Sequence, residues 1–194
     1  MPFTLPLGSK PPAFHLLGTD KKYYGLEDFK EKILVIFFTC NHCPYVIGSD
    51  EYTRRTAEKF LNQSVRFVGI NSNSKNTVPE DSFEEMIKRM AEKRFPWVYL
   101  HDKTQEVARS YGALRTPHFF VFNEDRNLIY CGRGVDSPKD VTKVKEKDLE
   151  NALDEYLKLK KISNPLTNPI GCNIKWEGKD NKWMPPEACD LVPL

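Results

Sequence analysis

The stretch VIFFTCNHCPYV, residues 35–46, places two cysteines directly after a run of strand-forming residues and directly before a proline. The run that leads into it, residues 32–38, is almost entirely apolar, which is typical of a strand buried on both faces. Asn41 is a good helix N-cap and Pro44 suits the first helical turn, so a helix is predicted to begin at the cysteines. The stretch therefore predicts a buried strand, a Cys-X-X-Cys motif and a helix, in that order.

The rest of the chain alternates strands and helices in the same way. Strands are predicted at residues 65–71 and 97–102, helices at 48–63, 83–94, 103–113 and 146–161, and a hairpin at 118–133 that turns at 123–126. This order predicts an α/β fold with a central mixed sheet flanked by helices. Periodicity stops beyond residue 163, which divides the chain into a domain of residues 1–163 and an extended, proline-rich tail, residues 164–194, that we expect to pack on the domain.

Composition excludes several classes of protein. With 194 residues, 40% of them hydrophobic, the chain is long enough for one well-buried core. Its 29 basic and 27 acidic residues form no dense basic cluster, so neither nucleic acid nor a membrane surface is expected as a partner. No apolar run is long enough to span a bilayer and no signal-like segment is present, which predicts a soluble, cytoplasmic protein. Five cysteines, an odd number at low density, fit a reducing compartment.

The paired cysteines have the spacing of a working dithiol. Cysteines three apart at a helix start lie on one face and are close enough to form a disulfide. The positive end of the helix favours a thiolate over a thiol. Cys40 is expected to be the more exposed, nucleophilic sulfur and Cys43 its resolving partner, while His42 can be charged near neutral pH and stabilise the thiolate. These three residues are the predicted catalytic group.

Other interpretations of the motif remain open. A zinc clip needs two further ligands, but Cys172 and Cys189 are widely spaced and the chain has no second Cys-X-X-Cys motif. The two cysteines can also be unreactive core residues, since cysteine is often buried, and His42 can be a solvated residue without a redox role. The strand, motif and helix together favour the redox interpretation, with no metal at the site.

Five segments, one of them the cysteine motif itself, carry a resemblance to a known family. They are TCNHCPYV (39–46), GINSN (69–73), PEDSFEEM (79–86), YGALRTPHFFVFNEDRNLIYCGR (111–133) and IGCNIKW (170–176). With these segments the chain resembles thioredoxin-like proteins of the AhpC/TSA and redoxin superfamily, in the branch with a CNHCP active site. The resemblance implies a thioredoxin fold with an N-terminal β-extension, with Cys40 and Cys43 as the redox pair. It also implies that Pro117 is a cis-proline facing the dithiol and that the backbone of Thr116 binds an extended substrate.

The chain also departs from its relatives. Arg115 stands where close relatives often carry a further cysteine, and Thr39 replaces the tryptophan that precedes the cysteines of ordinary thioredoxins. The peroxiredoxin signature fails as well, because Ile36 and Cys40 occupy its proline and threonine positions when the two are aligned on Cys43. These departures make a peroxidase the weaker interpretation.

The predicted function is that of a thiol–disulfide oxidoreductase. It would act on a disulfide-containing protein or a small-molecule thiol, exchange electrons with an external thiol reductant or oxidant, and need no cofactor. A thiol peroxidase and a non-catalytic thioredoxin-like binding module are the alternatives. Cys172 lies in the tail, which the resemblance suggests docks near the dithiol; it is either a packing residue beside Trp176 or a third redox thiol.

Overall fold

The apolar run before the cysteines is strand β3, Ile33–Phe38, near the middle of a seven-stranded sheet. Successive side chains of a strand point to opposite faces of the sheet. Every residue of β3 is buried, three side chains against one hydrophobic cluster and three against another. The strand is therefore covered on both faces, as its composition predicts. The computed structural model describes residues 3–192; the ends of the predicted domain and tail, residues 1–2 and 193–194, lie outside the described residues.

The sheet is mixed, as the order of elements predicts. Besides β3, the strands are β1 (His15–Gly18), β2 (Tyr23–Gly25), β4 (Val65–Asn71), β5 (Val98–His101), β6 (Arg115–Thr116), β7 (His118–Phe122), β8 (Leu128–Gly132) and β9 (Cys172–Asn173). The strands of the sheet run in the order β2-β1-β5-β4-β3-β7-β8, and β6 and β9 form a separate two-stranded sheet. β3 pairs in parallel with β4 and antiparallel with β7. The first two strands form the N-terminal β-extension, and β1 joins the sheet by pairing with β5.

Helices cover both faces of this sheet. They are α1 (Pro44–Phe60), α2 (Phe83–Lys93), α3 (Glu106–Tyr111) and α4 (Asp148–Leu157). Residues of α1, α2 and α4 contribute to the cluster on one face, and residues of α3 contribute to the cluster on the other. Within residues 3–192, no helix combines the length and the hydrophobicity that crossing a bilayer requires.

Helix α1 begins two residues later than the sequence predicts. Its N-cap is Cys43 rather than Asn41, and Pro44 occupies the first helical position, where a missing N–H leaves no intrahelical bond unmade. The Asn41 side chain instead donates to the Glu80 carbonyl at 2.8 Å and accepts from the Tyr99 hydroxyl at 2.9 Å. Tertiary hydrogen bonds thus hold Asn41 away from the helix terminus, and the helix start moves to the second cysteine.

The tail beyond residue 163 is held against the domain by backbone and side-chain contacts. Ile174 and Trp176 are each 1% exposed and join the cluster that α3 contributes to. The Arg109 guanidinium lies 4.7 Å from the centre of the Trp176 ring. The Lys175 backbone N–H donates to the Asn73 side chain at 2.8 Å. A segment without helical or strand periodicity is thus ordered by burial of its apolar residues.

Because Trp176 is buried in a central cluster, we expect Trp176→Ala to lower the free energy of unfolding by about 3–5 kcal/mol. The matched control is Leu159→Ala, since Leu159 is 96% exposed; there the change should stay within about 0.5 kcal/mol. Urea titration of both variants measures the difference. Equal, small effects would mean that the tail contributes no core.

Candidate active site

The structure brings both motif cysteines against one residue of β6. Cys40 follows β3, and Cys43 is the N-cap of α1; both thiols are free. The Cys40 Sγ lies 3.4 Å from the Thr116 Oγ1, and the Cys43 thiol donates to the Thr116 carbonyl at 3.4 Å. The Thr116–Pro117 peptide bond is cis, as the resemblance implies. The predicted catalytic pair and the predicted substrate-binding residues therefore lie at one place.

The expectation that Cys40 is the more exposed sulfur is wrong. Cys40 and Cys43 are both 0% exposed. The cover is the tail: β9 pairs antiparallel with β6, and Cys172 stands directly opposite Thr116. Cys172 packs against the small cluster formed by Cys40, Cys43 and Val46 and is itself half-buried. The backbone edge at which a substrate strand was expected is thus occupied by a strand of the chain itself.

A glycine and an arginine hold β9 in this position. A Cβ on Gly171 would lie 2.0 Å from the Thr116 carbonyl oxygen, so any larger residue forces the two strands apart. The Arg115 guanidinium donates to the Gly171 carbonyl at 3.3 Å and to the Asn173 side chain at 2.8 Å. Arg115, which replaces the cysteine of some relatives, here anchors the tail.

A buried carboxylate lies under the motif. Asp81 is 0% exposed, and His42 donates to it through Nδ1 at 2.5 Å. Each carboxylate oxygen accepts two hydrogen bonds, as a buried charge requires. The other donors are the Asn41 backbone N–H at 2.6 Å and the side chains of Asn71 at 3.2 Å and Asn73 at 2.8 Å. Asp81 thus connects the Cys-X-X-Cys loop to the end of β4.

The contact between His42 and Asp81 favours the charged form of both groups. Burial by itself would lower the pKa of His42, but the hydrogen bond to Asp81 and the carboxylate charge outweigh it and raise that pKa above the ordinary histidine value. Burial would raise the pKa of Asp81, but hydrogen bonds from His42, Asn41 and Asn73 lower it. The contact therefore favours the imidazolium form of His42 and the carboxylate form of Asp81, close to Cys40.

The two sulfurs have opposite electrostatic surroundings. The pKa of Cys43 is lowered, chiefly by a hydrogen bond from the Cys172 thiol and next by one from Cys40; the Val46 N–H at the helix start contributes too, and burial opposes them. Burial raises the pKa of Cys40, and its hydrogen bond to Cys43 and the Asp81 charge raise it further. Charge-stabilising contacts therefore gather on Cys43, not on Cys40 as the sequence indicated.

One set of side chains in the described part of the chain has the atoms of a metal site. The ligand atoms of Cys40, His42 and Asp81 lie within 4.8 Å of one another. However, the Asp81 oxygens are already satisfied by four protein donors, one of which is the His42 nitrogen that would have to bind the ion. The arrangement fits a hydrogen-bonded ion pair better than a metal centre.

Asp81, Asn71 and Asn73 were not among the residues singled out from the sequence. Their signal lay in the segments GINSN (69–73) and PEDSFEEM (79–86), which carried the resemblance but had no assigned chemistry. Asp81 meets Asn41 and His42 across 40 and 39 positions of the chain, and it meets Asn71 and Asn73 across 10 and 8. Contacts between residues so far apart leave no local pattern in the sequence.

Comparison with known proteins gives the family. The family model described as Redoxin matches residues 6–153, which is more than half of the chain. This chain belongs to the Redoxin family. The finer assignment to a branch with a CNHCP active site stays a prediction. No curated protein matches the chain at a significant level.

Solved structures agree with this Redoxin-family fold. An uncharacterized conserved protein from Geobacillus kaustophilus is 38% identical with a TM-score of 0.84, over 90% of this chain and 94% of that one. A hypothetical protein from Sinorhizobium meliloti 1021 is 32% identical with a TM-score of 0.84, over 91% and 97%. The thioredoxin domain of a thiol-disulfide oxidoreductase from Bacteroides vulgatus is 18% identical with a TM-score of 0.62, over 79% and 99%, and shows the thioredoxin-like fold.

We expect Cys43 to be the first thiol of this Redoxin-family protein to ionise. As the pH is raised, the ultraviolet absorbance of a thiolate should appear well below about 8.5, the ordinary pKa of cysteine, because the neighbouring thiols stabilise the Cys43 anion. The rise should vanish in Cys43→Ser and persist, shifted to higher pH, in Cys40→Ser. If the rise instead vanished in Cys40→Ser and persisted in Cys43→Ser, Cys40 would be the thiol that ionises first.

The His42–Asp81 pair should make stability depend on pH. Since the folded-state pKa of His42 is raised, its contribution is fully present below the unfolded value of about 6.5 and is lost as pH rises through the folded value. Urea unfolding should show wild type most stabilised over His42→Gln at mildly acidic pH, with the gap closing as pH increases. A gap that does not vary with pH would mean that the imidazolium adds nothing.

Proposed function

We propose that this protein is a thiol–disulfide oxidoreductase whose redox pair is Cys40 and Cys43. One observation carries the proposal: two free thiols lie side by side at a helix start, and both contact Thr116 beside a cis-proline. Membership of the Redoxin family supports a redox role, whether in disulfide exchange or in peroxide reduction. We also propose that the protein is soluble and cytoplasmic and that it exchanges electrons with an external thiol.

The reaction needs only the two thiols. The Cys43 thiolate attacks one sulfur of a substrate disulfide, forms a mixed disulfide and releases a thiolate, which takes up a proton. The Cys40 thiol then attacks the Cys43 sulfur, its proton passes to the second leaving sulfur, and a Cys40–Cys43 disulfide forms. The substrate gains two electrons and the dithiol loses two. Two external thiols return the protein to its reduced form: the first attacks Cys43 and releases Cys40, and the second attacks the mixed disulfide, releases Cys43 and leaves as the external disulfide.

His42 and Asp81 act on the Cys40 side of this exchange. When the Cys40–Cys43 disulfide is reduced by attack on Cys43, Cys40 leaves as a thiolate. The imidazolium of His42 lies close to that sulfur, so it stabilises the departing charge and can supply a proton. Asp81 keeps His42 charged and oriented. His42 is therefore assigned to the catalytic group, with Asp81 as its positioning residue.

The closed β6 edge bears on the class of substrate. Thr116 can offer its backbone to an extended polypeptide only where β9 is absent, and β9 holds that edge through Cys172. Small disulfides make no such demand on the backbone. We therefore favour a low-molecular-weight disulfide as the substrate, because a local displacement of β9 uncovers Cys43 for it, and a protein disulfide where the tail has left β6 altogether.

Peroxide reduction is the second candidate, and the surroundings of Cys43 favour it over a purely structural role. A Cys43 thiolate can attack a hydroperoxide to give a sulfenic acid and an alcohol or water. The neighbouring thiol of Cys40 or Cys172 then condenses with the sulfenic acid, releasing water and forming a disulfide. A non-catalytic binding module would give neither reaction.

Reduced protein should convert glutathione disulfide to two molecules of glutathione while it forms a Cys40–Cys43 disulfide, which peptide mapping detects. Cys40→Ser and Cys43→Ser should each abolish that crosslink. The matched control is Cys131→Ser, because Cys131 is buried in the core beside His118, apart from the pair; it should react as wild type does.

A parallel assay with hydrogen peroxide separates the candidates. Fast peroxide consumption with slow disulfide exchange would replace the proposal with the peroxidase. If the protein reacted with neither reagent, a non-catalytic binding module would be the remaining interpretation. An insulin-reduction arm tests whether a protein disulfide reaches the site.

A further inference from the structure

The motif cysteines have no direct path to solvent, but a third thiol does. Cys40 and Cys43 are 0% exposed, whereas Cys172 is only half-buried and packs against the cluster that contains them. Cys172 is also the neighbour that contributes most to lowering the pKa of the Cys43 thiol. Of this three-thiol cluster, Cys40, Cys43 and Cys172, one member alone can meet an external reagent without movement of the backbone.

The position of Cys172 is built into the fold. It lies opposite Thr116 in the β6–β9 pair, and Thr116 is the residue that both motif sulfurs contact. Gly171 permits the close approach of the two strands, and Arg115 holds both neighbours of Cys172. A thiol that served only to fill space would not need this registration against the redox pair.

We propose that Cys172 is a third catalytic thiol, through which the buried Cys40–Cys43 pair exchanges electrons with external thiols and disulfides. The inference rests on the proposed function, because it requires that a Cys40–Cys43 disulfide forms. It assigns to the tail a chemical role in the reaction and not only that of a cover.

The exchange inside the cluster balances without any further reagent. In the oxidised protein the Cys172 sulfur attacks the Cys43 sulfur; a Cys43–Cys172 bond forms and the Cys40–Cys43 bond breaks. The proton lost by Cys172 ends on Cys40, which leaves next to the charged His42. Attack falls on Cys43, because Cys172 is the group that most perturbs the Cys43 thiol and because Cys40 is the motif sulfur that leaves beside His42.

External thiols then act on the exposed sulfur. One thiol attacks Cys172, forms a mixed disulfide there and releases Cys43 as a thiol. A second thiol attacks the mixed disulfide, releases the external disulfide and restores the Cys172 thiol. Two external thiols are oxidised and one protein disulfide is reduced, so electrons and protons balance.

The decisive experiment follows reduction of the Cys40–Cys43 disulfide by glutathione, with rapid alkylation and peptide mass spectrometry. In Cys172→Ser the reduction should be slower by about tenfold or more, because the attacking thiol has lost its accessible entry point. The matched control is Cys189→Ser, which removes an exposed cysteine from the same tail and should leave the rate unchanged.

Two further variants test the geometry with the Cys172 thiol still present. Cys40→Ser treated with glutathione disulfide should accumulate a Cys43–Cys172 disulfide. Gly171→Ala, whose new Cβ pushes β9 from β6, should slow the glutathione reaction as Cys172→Ser does, although every thiol remains. Circular dichroism confirms that the variants are folded.

Three results would overturn the proposal. Reduction of Cys172→Ser at the wild-type rate would show that external thiols reach Cys43 directly. Faster reduction in Gly171→Ala would show that the tail shields the pair. Stable glutathione on Cys43 in Cys40→Ser would show that Cys172 does not attack it. A wild-type protein that forms no Cys40–Cys43 disulfide would instead defeat the proposed function, and the role of Cys172 with it.

Discussion

Burial of β3 on both faces is the constraint on which the rest of the structure depends. The backbone N–H and C=O groups of a strand buried on both faces need hydrogen-bond partners along both edges. Here β4 and β7 supply those partners. Both faces then need cover, which α1, α2 and α4 provide on one side and α3 with the tail on the other. Because β3 runs directly into Cys40, the same burial sets the first cysteine at the edge of the core.

That placement gives the two cysteines unlike roles. Cys40 lies beside the buried Asp81 carboxylate and its His42 partner, where a sulfur anion is repelled by one group and stabilised by the other. Cys43, one turn of chain further, receives thiol and backbone donors. An asymmetric pair of this kind suits disulfide exchange, in which one sulfur accepts attack while the other departs. The asymmetry comes from partners that lie outside the motif itself.

The tail gives the site its closed form. The resemblance implies an edge beside the cis-proline that is free to pair with a substrate strand, whereas here β9 already pairs with β6. The burial of Trp176 and Ile174 fixes the tail on the domain, and Gly171 lets it approach Thr116. Core packing of the tail therefore helps to hold β9 over the two motif cysteines.

The sequence by itself determined the strands and helices with strong periodicity, the mixed α/β sheet and the dithiol, because these depend on neighbours in the chain or on short spacings. It placed the helix start at Asn41 and the more exposed sulfur at Cys40, whereas in the structure Cys43 is the N-cap and both sulfurs are buried. Tertiary structure alone decided these points, together with the Asp81 hydrogen bonds and the pairing of Cys172 with Thr116. The physical reason is separation: each depends on hydrogen bonds or packing between residues far apart in sequence, whose geometry exists only once the sheet has formed.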